Sequence, residues 1–283
     1  VISSHVVRGS VGNRAAVFAL ETLGHPVWAL PTVILPWHPG HGPSNRMAFP
    51  HDRFSDIIDD LSGAPWLAEV GAIHSGYLGN AEQATDVARL VSALRETNPD
   101  ALYLCDPVIG DVGGLYVPEA TAVAMRDTLL PLASVITPNR HELEWLTGRT
   151  CEDNTQILEA ALRLGCDRTL VTSAFGLMAQ STGNVLLAPR DAYLAEHRTV
   201  DDPPNGTGDL LAAIFLARIL EGKTDEKALQ IATASVFELL ARTAKHGADE
   251  LALEREPTSL KRPFAQVQMR RLLHPAGPKK TSQ

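Results

Sequence analysis

The sequence predicts an α/β fold: a three-layer sandwich with a central, mostly parallel sheet and helices on both faces. Two patterns carry that prediction. Short apolar runs alternate with longer amphipathic ones, as βαβ units require. Polar or glycine-rich residues then follow several apolar runs at their C-terminal ends. In a parallel sheet those ends share the edge where α/β proteins bind ligands. A chain of 283 residues, 45% hydrophobic and 20% charged, can bury one large core. The expectation is a single domain over residues 1–283, with no linker-like break in composition.

The elements follow in order. The chain opens on Val1-Ile2-Ser3-Ser4 without Met, which predicts a clipped first strand with Ser4 at its end. Arg14–Leu23 reads as a helix, Val27–Leu30 as a strand and Phe54–Leu61 as a helix. The strand Ala72–Ser75 runs into Gly76-Tyr77-Leu78-Gly79, and the helix Ala81–Thr97 follows. Leu102–Cys105 is a strand ending at Asp106, and Pro118–Leu129 is a helix. The strand Val135–Thr137 ends at Pro138-Asn139, before helices at Arg140–Thr147 and Glu152–Leu164. Thr169–Thr172 is a strand ending at Ser173. Leu177–Gln180 and Val185–Ala188 read as a hairpin around Thr182-Gly183-Asn184. Helices at Asp209–Leu220 and Asp225–Thr243 complete the pattern; the chain is more charged after Gly247, and 275–283 reads as a flexible tail.

A formal net charge of −8 disfavours nucleic-acid partners, so a phosphate site has to be built locally from amides and a few cations. Cys105, Cys151 and Cys166 lack CxxC spacing and fit reduced thiols in a cytoplasmic protein. No apolar run approaches membrane-spanning length and no signal peptide is visible, so no membrane partner is expected.

The sharpest motif is Asn205-Gly206-Thr207-Gly208-Asp209, directly before the apolar run Leu210–Ala217. The run is apolar on nearly every side and reads as a buried helix, with Gly222 as its stop. The glycine-rich loop then lies at a helix N-terminus, where free amides and the helix dipole attract an anion. A carboxylate beside an anion hole suits phosphoryl transfer to an alcohol: it accepts the hydroxyl proton while the amides stabilise the phosphoryl charge. In isolation a plain N-cap role would be the better explanation of Asp209, and the other strand-end motifs reverse that judgement.

This motif resembles the GTGD signature of the ribokinase-like kinases, and there is no Walker-type G-x-x-x-x-G-K-[ST] sequence. The resemblance implies Asp209 as the catalytic base, and Gly206, Thr207 and Gly208 as an anion hole that binds ATP together with Asn205. Other segments resemble the vitamin B6 (pyridoxal) kinase branch. Ser4-His5-Val6-Val7-Arg8-Gly9 is similar to its S-H-V-V-x-G segment, which implies that Ser4 meets the pyridine ring. Ser75–Gly79 matches S-G-Y-L-G, which implies that Tyr77 lines the substrate pocket; simple core packing is the competing reading. Cys105–Asp111 resembles C-D-P-V-x-G-D, and Thr137–Glu142 resembles T-P-N-x-x-E. These imply that Asp106, Asp111 and Glu142 organise Mg²⁺, largely through water, and that Asn139 meets ATP phosphate, alone or while also capping its helix. Thr172 and Ser173 resemble the phosphate-side V-T-S strand end.

The resemblance covers about Ser4 to Thr243 and departs at three points. Arg8 stands where many relatives have tyrosine, so a cation there is expected over the ring or against a phosphate. Pro39 replaces a threonine that often holds substrate, and Pro203-Pro204 leaves no lysine before the anion hole. His38 and His41, in the Pro/Gly-rich loop 37–42, read as part of a flap over the substrate rather than as a metal pair. His5 has no expected catalytic role, and Lys261, Arg262, Arg270 and Arg271 are expected on a solvated face. The implied activity is phosphorylation of pyridoxal, pyridoxine or pyridoxamine by MgATP, with K⁺ or Na⁺ assisting and a homodimer as the assembly. Hydroxymethylpyrimidine kinase and a non-catalytic vitamin or nucleotide sensor are the competing readings.

Overall fold

The computed structural model describes residues 1–276. Its strands are β1 (Ile2–Val6), β2 (Leu30–Leu35), β3 (Met47–Ala48), β4 (Ala72–Ser75), β5 (Leu102–Cys105), β6 (Gly110–Asp111), β7 (Gly114–Leu115), β8 (Val135–Ile136), β9 (Arg168–Phe175), β10 (Ser181–Leu187), β11 (Ala192–Arg198) and β12 (Gln268–Leu272). Its helices are α1 (Asn13–Thr22), α2 (His51–Ser62), α3 (Glu82–Thr97), α4 (Glu119–Ala124), α5 (Arg140–Thr147), α6 (Asn154–Arg163), α7 (Thr207–Leu220), α8 (Asp225–His246) and α9 (Pro257–Lys261).

Ten strands form one sheet in the order β12-β11-β10-β9-β8-β5-β4-β1-β2-β3, and β6 with β7 makes a separate small hairpin. The centre from β2 to β9 is parallel, and both flanks are closed by antiparallel strands. The central parallel strands are largely buried because both sides of the sheet are covered, even where β1 and β4 carry Ser and His. On one face α1, α7 and α8 pack over Leu104, Val135, Leu170 and Leu186. On the other, α2, α3 and α4 pack over Ile73, Tyr103 and Ile136, while α5 and α6 cover Val171 and Val185. Every residue of α7 from Leu210 to Arg218 is buried, which is why the helix has no polar stripe.

Several boundaries differ from the sequence expectation. The second strand is Leu30–Leu35 rather than Val27–Leu30, because its ladder with β1 begins at the Ile2–Leu30 pair. Ser4 lies within β1, not after it. Pro118–Leu129 is a short helix followed by a π turn at Met125–Leu129. Leu177–Gln180 is a connection, held where the buried Glu196 accepts hydrogen bonds from the Leu177 and Met178 amides. Thr182-Gly183-Asn184 lies inside β10: a Cβ on Gly183 would fall 2.5 Å from Leu194 Cδ1, so this glycine serves packing and not a turn. Arg270 and Arg271 are exposed on β12, on a solvated face as expected, and reach toward Glu196 and Asp191. Of the expected tail 275–283, the Ala276 amide donates to His274 Nδ1 at 3.2 Å, and 277–283 lie outside the described residues.

An apolar cavity of about 550 Å³ lies at the N-terminal ends of β1, β2 and β4, lined by Val1, Trp28, Ala72, His74 and Leu216. It is at the opposite edge of the sheet from the glycine-rich loops described next, and burial pushes the His74 imidazole down to about 3.

Candidate active site

At the C-terminal edge, Gly206 caps α7 with φ of 92°, a conformation suited to glycine. The close fit adds a second reason: a Cβ there would lie 2.1 Å from the Ser10 carbonyl oxygen. A Cβ at Gly208, by contrast, would point into open space, leaving room beside the free amides of the first turn. Asp209 is in that turn. Its surroundings push its carboxyl up to about 6 by desolvation, partly offset by hydrogen bonds from the Gly12 amide and its own. Gly76, at the end of β4, closes the floor: its Cβ position lies 3.8 Å from Asp209 Oδ1.

A buried acidic group faces this turn. Asp106 accepts a hydrogen bond from Thr137 Oγ1 at 2.8 Å, and desolvation with the charge of Asp209 pushes its carboxyl up to about 8. Glu142 is buried, and desolvation followed by the charge of Asp106 raises it well above the ordinary carboxylate range. Its Oε1 accepts the Ile109 and Gly110 amides at 3.0 and 3.3 Å, and its Oε2 accepts the Asn139 amide at 2.7 Å. Asn139 Oδ1 accepts the Glu142 amide at 2.9 Å, completing a capping box on α5, while its Nδ2 donates to the Gly110 carbonyl. Asn139 therefore caps its helix and also braces the β6–β7 hairpin. Asp111 is exposed at that hairpin and accepts the Gly113 amide at 2.7 Å. Among the described residues, no three ligating side chains converge on one point. Asp106 and Glu142 adjoin, and Asp111 stands apart.

Asn139 bridges to Thr172, and the Thr172 amide donates to the Pro138 carbonyl at 3.0 Å. β9 does not end there but continues to Phe175, with Ser173 exposed at φ of 54°. The kink has the effect expected of a strand end, because it turns Ser173 out of the regular ladder.

On the other side of Asp209, Ser4 is buried, and Tyr77 is half-buried with its amide donating to Ser3 Oγ. Thr32 Oγ1 donates to the Tyr77 carbonyl at 2.7 Å, and Gln83 ties Thr32 to Gly79. The Arg46 guanidinium lies 5.8 Å from the centre of the Tyr77 ring. His38 is half-buried, and its Nδ1 accepts the Gly40 amide at 3.1 Å. Arg8 pairs with Asp249 at 2.6 Å.

A family model described as phosphomethylpyrimidine kinase matches residues 64–253. The chain is 33% identical to pyridoxal kinase PdxY of Corynebacterium diphtheriae over 277 residues, covering 96% of this chain and 98% of that one. It is 38% identical to a pyridoxine/pyridoxal/pyridoxamine kinase of Bordetella bronchiseptica over 258 residues, covering 89% and 91%. The solved pyridoxal kinase of Leishmania donovani in complex with ADP and pyridoxamine superposes with a TM-score of 0.89 at 27% identity, over 96% of this chain and 99% of that one. The chain belongs to the pyridoxal kinase family. Its fold is accordingly the ribokinase-like one, and it is a kinase.

Within that family frame, several site residues carried no readable sequence signal. Tyr116 follows the β6–β7 hairpin, and burial with the charges of Glu142, Asp106, Asp209 and Asp111 raises its phenol far above its usual range. Its only trace in the sequence is an aromatic residue five positions after Asp111. Gly12, Thr32, Gln83 and Arg46 reach the site through pairing and packing that no local pattern announces.

Proposed function

We propose that this kinase transfers the γ-phosphoryl group of ATP to the 5′-hydroxymethyl group of pyridoxal, and likewise acts on pyridoxine and pyridoxamine. The observation that carries the reading is Asp209: a carboxylate raised to about 6, at the amide-rich start of α7, with open space at Gly208 and an acidic group opposite. The relatives' names supply the acceptor class: one is a pyridoxine/pyridoxal/pyridoxamine kinase, and the Leishmania enzyme is held with ADP and pyridoxamine.

In this reading the vitamer lies between Ser4, Tyr77 and the flap that contains His38. Ser4 is buried beside Gly12, whose amide hydrogen-bonds Asp209, so its hydroxyl is placed near the proposed base. Asp209 takes the hydroxymethyl proton, and the oxygen attacks the γ-phosphorus in line. The amides of Gly206, Thr207 and Gly208 stabilise the charge of the transferring group, and Asn205, Asn139, Thr172 and Ser173 hold ATP. Asp106 and Glu142 fit a cation, because buried like charges are held there at the cost of raised pKa values. With Asp111 at a distance, the set suits Mg²⁺ held largely through water and phosphate oxygens. Bound Mg²⁺ would neutralise phosphate charge. K⁺ or Na⁺ as a helper ion and a homodimeric assembly rest on the family resemblance.

The strands run from residue 2 to residue 272 in one continuous sheet, which supports a single kinase domain. Free cysteines support a reducing, cytoplasmic setting, and among the described residues no helix is long and apolar enough to cross a membrane.

ADP release from MgATP with pyridoxal, pyridoxine, pyridoxamine, hydroxymethylpyrimidine and ribose at equal concentration tests the reading. Turnover led by a B6 vitamer is expected. Turnover led by hydroxymethylpyrimidine would keep Asp209 and the anion hole but overturn the substrate; tight vitamer binding without ADP would make the protein a sensor.

A further inference from the structure

The loop after α8 returns to the N-terminal part of the chain, and there Glu250 touches two separate segments. Its Oε1 meets His41 Nε2 at 2.8 Å, in the segment 38–42. Its Oε2 accepts the Ser10 amide at 3.1 Å, in the loop after β1. Arg8 lies 3.6 Å from Oε1 and holds the neighbouring Asp249 at 2.6 Å. The Glu250 side chain is 14% exposed, against 54% for Arg8 and 62% for Asp249, so it is the enclosed member of the group. The fit is tight: a Cβ on Gly9 would fall 2.6 Å from Glu250 Oε1.

The contacts continue to the catalytic loop. Ser10 Oγ donates to the Leu251 carbonyl at 3.1 Å, and the Ser10 carbonyl oxygen is the atom against which Gly206 packs. Gly40 in turn sits beside Asn205, its Cβ position 3.0 Å from Asn205 Nδ2. The segment 38–42 and the anion-hole loop thus meet directly, and both are braced through Glu250 and Ser10.

We propose that Glu250 is a positioning residue that latches the 38–42 flap in its closed place and ties it to the anion-hole loop. This rests on the reading of 38–42 as the flap over the vitamer. The consequence of this group lies in geometry more than in global stability, because it fixes two loops against each other and not the packed core.

The test compares Glu250→Ala and Glu250→Gln in the full chain, reading amide hydrogen exchange at 38–42 and the steady-state constants for pyridoxal and ATP. Glutamine can accept the Ser10 amide with its oxygen and donate to neutral His41 with its amide. Glu250→Ala is expected to speed exchange at 38–42 and raise the pyridoxal KM about tenfold, with kcat and the ATP KM nearly unchanged, while Glu250→Gln stays close to the parent. His41→Ala, which leaves the Ser10 contact intact, is expected to reproduce the KM change and serves if Glu250→Ala fails to fold. Unchanged exchange in a folded Glu250→Ala protein would overturn the latch. Faster exchange with an unmoved pyridoxal KM would overturn its link to the pocket, and would do so while leaving vitamer turnover, and hence the proposed function, intact.

Discussion

As the proposed base, Asp209 would have to be ionised to accept a proton, yet it sits where ionisation is disfavoured. Its carboxyl at about 6 is a workable compromise, since a base is most effective when its pKa lies near the working pH. The catalytic efficiency for pyridoxal is therefore expected to fall as the pH drops below about 6, read from initial rates across pH. Asp209→Asn keeps the size and removes the base; kcat is expected to fall by about 10²–10⁴-fold with little change in pyridoxal KM. Near-normal turnover in that variant would end the base assignment. Gly206→Ala tests the other half of the turn. At φ of 92° and 2.1 Å from the Ser10 oxygen, an added Cβ has to push the loop aside. The expected loss of kcat is on the order of 10²-fold, the scale of one displaced oxyanion donor, with a thermal melt to separate that from unfolding.

The start of α5 shows how one element can hold a site. Asn139 caps the helix, and the same side chain ties the Gly110 carbonyl, so the cap also fixes the hairpin that carries Asp111. Asn139→Ala is expected to cost about 0.5–2 kcal/mol from the cap, and a melting temperature lower by roughly 2–4 °C per kcal/mol. Sequence reading found this helix start, α7 and the glycine loop because their signals are local: a cap, an apolar run, a glycine beside an acid. It failed where the reason is distant. Gly183 looks like a turn residue until Leu194 is seen against it, and Leu177–Gln180 looks like a strand until Glu196 takes its amides. Arg8 was read against the pocket, whereas its partner is Asp249, 241 residues away in sequence. β11 (AYLAEHR) and β12 (QMRRL) give no clear signal, since charged and polar residues interrupt both apolar patterns and only pairing with β10 and with each other sets them in the sheet.

The molecule as a whole gathers carboxylates from β5, α5 and α7 at one sheet edge, although they come from residues 106, 142 and 209. Protein groups alone do not neutralise them: Asp106 rises to about 8, Glu142 rises well above its usual range and Asp209 rises to about 6. Each acid therefore holds its proton more tightly in the folded chain than in the unfolded one. Between the ordinary carboxylate pKa and these raised values, folding takes up protons, so this edge loses stability as the pH increases. The stabilising contribution is complete below about pH 4 and is lost as the pH passes through about 6 and then about 8. Asp106→Asn removes the carboxyl raised to about 8 while keeping an acceptor for Thr137. Without divalent cations, that variant is expected to melt above the parent at pH 8, by roughly 2–4 °C for each kcal/mol relieved, and level with it near pH 4. Adding Mg²⁺ at pH 8 should raise the parent more than the variant, because the ion takes over the neutralising role that protons serve at low pH. Melting curves at both pH values, with and without Mg²⁺, decide the matter; equal curves for parent and variant at pH 8 would mean that the Asp106 carboxylate is not strained in the free enzyme.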